Sequence, residues 1–192
     1  MASNEYHFVT NWRVQSTIAE VVEILSNATD LPRWWPSVYL EVKELAPGDV
    51  NGLGKEVSLY TKGWLPYTLR WQFRVTETNP PHGFSLVASG DFVGKGVWTF
   101  AQDGEWVNIT YDWKILADKP LLRTLSFLMK PIFSSNHLWA MEKGEESLKL
   151  ELARRHAQSE AERAKIAAPS PATPSSLLKW IPFALGEWLR KK

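Results

Sequence analysis

The sequence predicts an α+β domain in which a curved antiparallel sheet of about seven strands packs against one long C-terminal helix. One strand-like segment opens the chain, and a train of strand-like segments separated by turn residues fills residues 37–117. After residue 118 the apolar residues recur with helical spacing. Because strands and helices are segregated along the chain, the long helix is expected to cover one face of the sheet.

The first strand and two short helices after it are predicted from local patterns. Residues 6–15 alternate between apolar and polar side chains, as in a half-buried strand. Thr17 and Glu20 have the spacing of a capping box, so a helix is expected to begin near residue 17. The segment "LPRWWPSV", bounded by Pro32 and Pro36, is expected to form a second short, turn-like piece.

Six further strands are predicted as a meander, because short loops between neighbouring strands produce antiparallel pairs. Loops rich in glycine, proline, asparagine and aspartate separate them. The strand segments are "VYLEVKEL", "LGKEVSLYTK", "YTLRWQFRVTET", "FSLVASG", "DFVGKGVWTF" and "VNITYDWKIL".

The C-terminal part of the chain divides into a helix, a linker and a tail. Pro120 suits the first turn of a helix, Pro131 is expected to kink or interrupt it, and good helix formers continue from about 132 to 156. Residues 157–176 are rich in alanine, proline and serine and are predicted to be a linker. Residues 177–192 form an amphipathic segment with a basic end, which leaves 1–156 as the predicted domain.

Composition excludes several classes of function. A formal net charge of +1 on 192 residues gives no field that would attract nucleic acid. The lack of cysteine excludes disulfides, thiol nucleophiles and thiolate metal sites. The four histidines, His7, His82, His137 and His156, lack the spacing of a metal site, and we predict neither a metal nor a cofactor.

A cavity under the long helix is predicted from glycines placed among aromatic residues. The chain has 11 tryptophans, 8 phenylalanines and 5 tyrosines, which either fill a large core or line a pocket. Alternation places Gly94 and Gly96 on the inward face of their strand, and helical spacing places Gly144 on the buried stripe of the last helix. Small residues on both walls favour a hollow. The alternative is that the strand glycines let the sheet curl and Gly144 admits a neighbouring indole.

The layout resembles the helix-grip fold of the START/Bet v 1-like (SRPBCC) superfamily, also labelled polyketide cyclase/dehydrase and lipid transport proteins. The resemblance covers about residues 5–156 and is strongest to a bacterial branch with segments like "LPRWWPSV", "LPYTLRW", "GDFVGKGVW", "DKPLLRTL" and "NHLWAMEKGEESL". It implies a deep apolar cavity between sheet and helix. Relatives bind sterols, fatty acyl chains, polyketides or plant hormones, and some catalyse cyclisation or dehydration, although no catalytic motif is shared.

His137 is the candidate catalytic or ligand-anchoring residue, because the stripe directs it inward and imidazole can donate, accept and transfer protons. The alternative is that it bonds a buried neighbour and only fixes the helix. The predicted ligand-binding residues share inward positions on the sheet, the short helices and the last helix. They are Trp35, Tyr67, Trp71, Phe92, Gly94, Gly96, Trp98, Tyr111, Trp113, His137, Met141 and Gly144.

Three functions fit these observations. The leading prediction is a noncatalytic protein that binds or carries a hydrophobic small molecule. The second is a cyclase- or dehydratase-type enzyme acting on an apolar substrate, with His137 as acid/base. The third is an interaction module in which the tail is the working part.

The tail sets the remaining expectations about partners and location. Residues 177–192 resemble an interfacial membrane helix and could equally dock on the domain or on another subunit. The start of the chain lacks the pattern of a signal peptide, and no run reaches the roughly 18 apolar residues of a membrane span. We therefore expect a cytoplasmic protein, either free or peripheral on a membrane.

Overall fold

A computed structural model describes residues 5–117 and 120–174, without the side chains of residues 117 and 120–129. Among the described residues, seven strands and the first three helices follow one another in the order predicted from the sequence, and a fourth, short helix lies in the predicted linker. The strands are β1 (Glu5–Gln15), β2 (Tyr39–Ala46), β3 (Glu56–Lys62), β4 (Thr68–Asn79), β5 (Gly83–Gly90), β6 (Phe92–Asp103) and β7 (Trp106–Ala117). The helices are α1 (Ile18–Ser26), α2 (Leu31–Trp34), α3 (Pro120–His156) and α4 (Glu160–Arg163), with a 3₁₀ turn at Ala28–Asp30.

All seven strands form one antiparallel sheet in the order β1-β7-β6-β5-β4-β3-β2. The meander places each strand beside its sequence neighbour, and β1 closes the far edge by pairing with β7. Irregularities in register within β2 and β4 bend the sheet. The predicted fold class, an α+β domain with a curved antiparallel sheet, is confirmed.

Alternation along the strands assigns the faces as predicted. In β7 the inward side chains from Val107 to Ile115 are buried and their neighbours are more exposed. α3 contacts β1 along the concave face. Because a strand's period is two, the hydrophobic pattern of β7 is sufficient to place Tyr111 and Trp113 on the buried face of the sheet.

The capping box predicted for α1 is confirmed. The Thr17 hydroxyl accepts a hydrogen bond from the backbone N–H of Glu20, and the Glu20 carboxylate accepts one from the backbone N–H of Thr17. The short α2 that follows ends in Trp34, which is fully buried, and Trp35 is 2% exposed. These two indoles anchor the short helices in the core.

α3 runs through Pro131 as one helix, so the predicted interruption there does not occur. A proline removes one backbone donor, and the hydrogen bonds of the flanking turns can carry the helix past that position. Within the described ranges, no helix is long and apolar enough to cross a bilayer.

The described part of the predicted linker folds back onto the domain, and we call residues 157–174 the strap. A side-chain hydrogen bond joins Arg154 to the Ala167 carbonyl oxygen. Further on, the Thr173 hydroxyl donates to the Gly63 carbonyl oxygen at 3.1 Å, and Lys62 Nζ donates to the Thr173 carbonyl oxygen at 2.6 Å. The strap thus returns from the end of α3 to the end of β3. The predicted tail, residues 177–192, lies outside the described residues.

Candidate functional site

A small chamber of about 130 Å³ lies between α3 and the end of the sheet formed by β1, β3, β4, β6 and β7. Aromatic and aliphatic side chains make up most of its lining. Its polar wall comes from α3 and the β3–β4 loop, where Asn136 accepts a hydrogen bond from the backbone N–H of Leu65 at 3.1 Å. Eight of the predicted ligand-binding residues line it: Trp35, Tyr67, Trp71, Phe92, Tyr111, Trp113, His137 and Met141.

A large chamber of about 470 Å³ lies toward α1, α2 and the loops of the opposite end. Its walls are apolar side chains of α1 and of β4, β5 and β6, among them the predicted residue Trp98. The β2–β3 loop forms part of its rim, and Lys55 in that loop donates to the Ser26 carbonyl oxygen at 3.2 Å. This contact ties the loop to the end of α1.

The two chambers share part of their walls. Five residues line both of them: Trp35, Tyr39, Trp71, Tyr111 and Met141. An elongated ligand could therefore extend from one chamber into the other after small movements of these side chains. The combined volume of the two chambers falls within the usual range of ligand-pocket volumes, which is roughly 300–1,000 Å³.

Three polar atoms in the wall of the small chamber have no hydrogen-bond partner within the described part of the chain. They are the Tyr6 hydroxyl, Trp35 Nε1 and His137 Nε2, and each of these atoms is buried. A buried polar group without a partner costs about 1–3 kcal/mol. Four further buried polar atoms without a described partner, on Thr10, Trp12, Trp34 and Ser37, belong to residues that line neither chamber. The three on lining residues are therefore candidates to bond a polar group in the small chamber.

His137 packs face to face on Phe8, with ring centroids 4.1 Å apart and planes 17° from parallel. Burial lowers the pKa of His137 from 6.5 to about 4. At neutral pH the imidazole is therefore uncharged and can donate one hydrogen bond and accept another. Burial likewise raises the pKa of Tyr67 to about 12, so its hydroxyl stays protonated.

The lowered pKa of His137 predicts a specific loss of stability in acid. The unfolded chain binds a proton at His137 below pH 6.5, whereas the folded chain does so only near pH 4. The free energy of unfolding should therefore fall as pH decreases through this window, by about 2 kcal/mol at pH 5 relative to pH 8. In His137→Phe this part of the pH dependence should be absent.

Urea unfolding of both proteins at pH 8, 6 and 5 measures the difference. His7, His82 and His156 are present in both proteins, so their contributions cancel in the comparison. Equal pH dependence in the two proteins would show that His137 titrates normally in the folded state.

The three predicted glycines line neither chamber, and the reasoning that they leave open space is wrong. A Cβ at Gly144 would lie 2.3 Å from Cζ2 of Trp35, and one at Gly96 would lie 2.8 Å from the Tyr111 hydroxyl oxygen. At Gly94 a Cβ would lie 2.1 Å from the Lys114 carbonyl oxygen of β7. Gly96 and Gly144 thus make room for neighbouring rings, and Gly94 for the backbone of β7. For Gly144 this is the alternative stated above, a glycine that admits a neighbouring indole.

Sequence reasoning missed several lining residues. Tyr6 lies on the same face of β1 as Trp12, so alternation along that strand could have identified it. Tyr39, Thr61 and Lys62 belong to the β2–β3 hairpin, whose register at the strand ends depends on irregular pairing. No periodic pattern could have shown the large chamber, because loops supply much of its rim.

Acidic and histidine side chains do not gather into a metal site anywhere in the described ranges. Within the described ranges, His137 Nε2 has no hydrogen-bond partner. The arrangement can hold an apolar molecule and orient its polar group.

Comparison with known structures identifies the architecture. TTHA0849 from Thermus thermophilus superposes with a TM-score of 0.60 at 15% identity, covering 74% of this chain and 96% of that one. Zhui aromatase/cyclase from Streptomyces sp. R1128 superposes with a TM-score of 0.58 at 16% identity, covering 80% and 97%. The chain has the helix-grip fold that these structures share.

The di-domain aromatase/cyclase BexL also superposes on this chain, with a TM-score of 0.57 at 12% identity. The match covers 74% of this chain and 50% of that one. No family model matches the sequence. No curated protein matches it either. Identities this low show a shared fold, whose cavity serves different chemistries, and the site itself must indicate the function.

Proposed function

We propose that this helix-grip protein binds or carries a hydrophobic small molecule that bears at least one oxygen atom. The observation that carries the proposal is a largely aromatic chamber whose lining includes three residues, Tyr6, Trp35 and His137, that each carry a buried polar atom without a partner among the described residues. The polar group of the ligand would lie in the small chamber, and its apolar body would extend into the large chamber. Burial of that body supplies most of the affinity, at about 25 cal/mol per Å² of apolar surface.

The polar atoms restrict the chemistry of the ligand's head group. Trp35 Nε1 can only donate, so the ligand must present an acceptor such as a carbonyl or hydroxyl oxygen. The Tyr6 hydroxyl and the neutral His137 imidazole can each donate or accept. A neutral oxygen-bearing group satisfies all three without placing a charge among the rings.

A cyclase- or dehydratase-type enzyme is the second candidate, favoured by the structural likeness to two aromatase/cyclases. The environment of His137 argues against it. A general base works best with a pKa near the operating pH, whereas burial lowers the pKa of His137 to about 4.

Native mass spectrometry of the purified full-length protein, followed by organic extraction, tests the proposal. We expect a bound apolar compound containing oxygen at one copy per chain. His137→Phe should lower its affinity about 2- to 10-fold, because one hydrogen bond contributes about 0.5–1.5 kcal/mol. His82→Phe, the same change at an exposed turn, is the matched control and should leave affinity unchanged.

Two results would contradict the binding role. Failure of the native protein to retain any apolar compound, together with failure to bind added long-chain alcohols and ketones, would exclude the carrier. Conversion of a bound compound by the native protein, lost in His137→Phe with affinity retained, would establish the enzyme instead.

A further inference from the structure

The wall that the two chambers share contains two tyrosines that the polar end of the small chamber does not include. Tyr39 and Tyr111 each line both chambers. Their neighbour in this wall, Trp71, has its indole N–H bonded to the Thr61 hydroxyl at 3.0 Å. Neither tyrosine hydroxyl has a hydrogen-bond partner among the described residues. The middle of the cavity therefore contains two polar groups that this part of the chain leaves without a bond.

Ring packing fixes the position of the Tyr111 hydroxyl. The ring stacks on Trp98, with centroids 4.1 Å apart and planes 17° from parallel, and the residue is only 8% exposed. A Cβ at Gly96 would lie 2.8 Å from the Tyr111 hydroxyl oxygen, so this oxygen lies above the face of β6 that also carries Trp98. The hydroxyl cannot turn to bulk solvent unless the two rings unstack.

Tyr39 reaches the same wall from β2, at the opposite edge of the sheet from β1 and β7. Its ring meets Trp35 edge to face at 5.1 Å. The residue is only half-buried, yet burial raises the pKa of its phenol. A ring whose open side faced bulk water would keep an ordinary pKa, so the open side of Tyr39 faces the chambers. Burial, followed by the neighbouring phenol of Tyr39, likewise raises the pKa of Tyr111, so the two phenols lie near each other and stay protonated.

These hydroxyls affect any ligand that extends through both chambers. An alkyl segment placed against the shared wall would displace water from the hydroxyls and offer them no bond. A buried polar group left without a partner weakens binding by about 5- to 150-fold relative to a ligand that bonds it. A ligand oxygen at this point would avoid that loss, because a phenol hydroxyl can both donate and accept.

We propose that the ligand carries a second oxygen function, partway along its apolar body, which bonds the hydroxyls of Tyr39 and Tyr111. The inference rests on the proposed function and narrows the ligand class. Instead of an apolar molecule with one polar end, the cavity takes an oxygenated molecule with two polar groups separated by an apolar segment. Because both phenols can donate and accept, a ligand hydroxyl or carbonyl group suits this position.

Binding of dodecan-2-one, and of its derivatives with a single hydroxyl group at each position from C5 to C10, tests the second oxygen. For the native full-length protein we expect one position, or two neighbouring ones, to raise the affinity at least about 5-fold over dodecan-2-one. In the double variant Tyr39→Phe/Tyr111→Phe this advantage should disappear, whereas dodecan-2-one itself should bind at least as tightly as before. Tyr60→Phe is the matched control and should keep the advantage, since Tyr60 lies against Arg70 and lines neither chamber.

Urea unfolding of the ligand-free protein gives a measurement that needs no ligand. A hydroxyl without a partner contributes no bond to the fold, so Tyr39→Phe and Tyr111→Phe should each unfold at a urea midpoint no lower than that of Tyr60→Phe. A lower midpoint in both variants would show that the hydroxyls are bonded within the protein, and it would overturn the second oxygen even if the ketones bind.

Failure of this inference and failure of the proposed function are distinguishable. Binding of dodecan-2-one with no gain at any hydroxyl position, or a gain that persists in Tyr39→Phe/Tyr111→Phe, would overturn the second oxygen and leave the carrier role intact. Failure of the native protein to bind dodecan-2-one and all its hydroxylated derivatives would contradict the proposed function, and the second oxygen with it.

Discussion

Replacing Gly144 by valine is expected to lower the free energy of unfolding by about 2–3 kcal/mol and to weaken ligand binding in the same variant. A Cβ at this position would lie 2.3 Å from Cζ2 of Trp35 and 2.7 Å from Cζ2 of Trp12. Both indoles are buried, so neither ring can swing into solvent. Overpacking of this kind costs about 1–3 kcal/mol, and valine recovers only a few tenths of the helix propensity lost at glycine.

The effect on binding follows from the double role of Trp35, which packs on Gly144 and lines both chambers. A ring displaced from the helix moves into the cavity and occupies space that the ligand needs. Urea unfolding and ligand titration of the same variant measure both effects.

A double-mutant cycle with Trp35→Phe provides the control for Gly144→Val. Phenylalanine lacks the two ring atoms of Trp35 that lie nearest to the glycine, so the second substitution should recover part of the lost stability. If the two substitutions instead add independently, contact with Trp35 is not the cause. An unfolding midpoint of Gly144→Val equal to that of the native protein would contradict the prediction altogether.

Local patterns predict most of this fold because each strand is half-buried. Side chains alternate along β4 and β7, so period-two patterns alone place Trp71 and Trp113 toward α3. The capping box at Thr17 is equally local. Pro131 shows where local patterns no longer decide the structure. A proline within a helical pattern permits either a break or a continuous helix, and packing decides between them.

The shape of the cavity could not be predicted in the same way, because it depends on which side chain fills each gap. Gly96 and Gly144 are small residues on inward faces, as predicted, yet Tyr111 and Trp35 occupy the space beside them. That Trp35 Nε1 has no hydrogen-bond partner among the described residues likewise depends on the distances to all its neighbours. Such properties belong to tertiary packing, which the spacing of residue types does not encode.

Replacing Arg33 by methionine is expected to lower the free energy of unfolding by about 2–3 kcal/mol. Arg33 donates to both carboxylate oxygens of Glu151, at 2.6 and 2.8 Å, and also to Asp30. Glu151 is only 4% exposed, so losing Arg33 leaves a buried carboxylate with Arg155 at 3.5 Å as its remaining partner among the described residues. Breaking a buried pair costs about 3–5 kcal/mol, and we expect less because the Arg33 side chain is 51% exposed.

The pH dependence of the stability lost in Arg33→Met identifies the cause of that loss. Arg33 holds the pKa of Glu151 below its ordinary value of 4.5, so the pair stabilises the fold above that pH and its contribution disappears as pH falls below it. Urea unfolding of native protein and Arg33→Met should therefore differ most near pH 7 and converge in acid. Arg13→Met is the matched control, because Arg13 pairs with Asp103 where both side chains are more than half exposed.

An Arg33→Met variant that loses no more stability than Arg13→Met would show that the pair is only a surface contact. The expected larger loss has a consequence for the cavity. Arg33 lies on α2 just before Trp34, Trp35 caps that helix, and the bond from Arg33 to Glu151 ties the helix to the C-terminal half of α3. Because Trp35 forms the wall between the chambers, Arg33→Met should also weaken ligand binding, although Arg33 itself lines neither chamber.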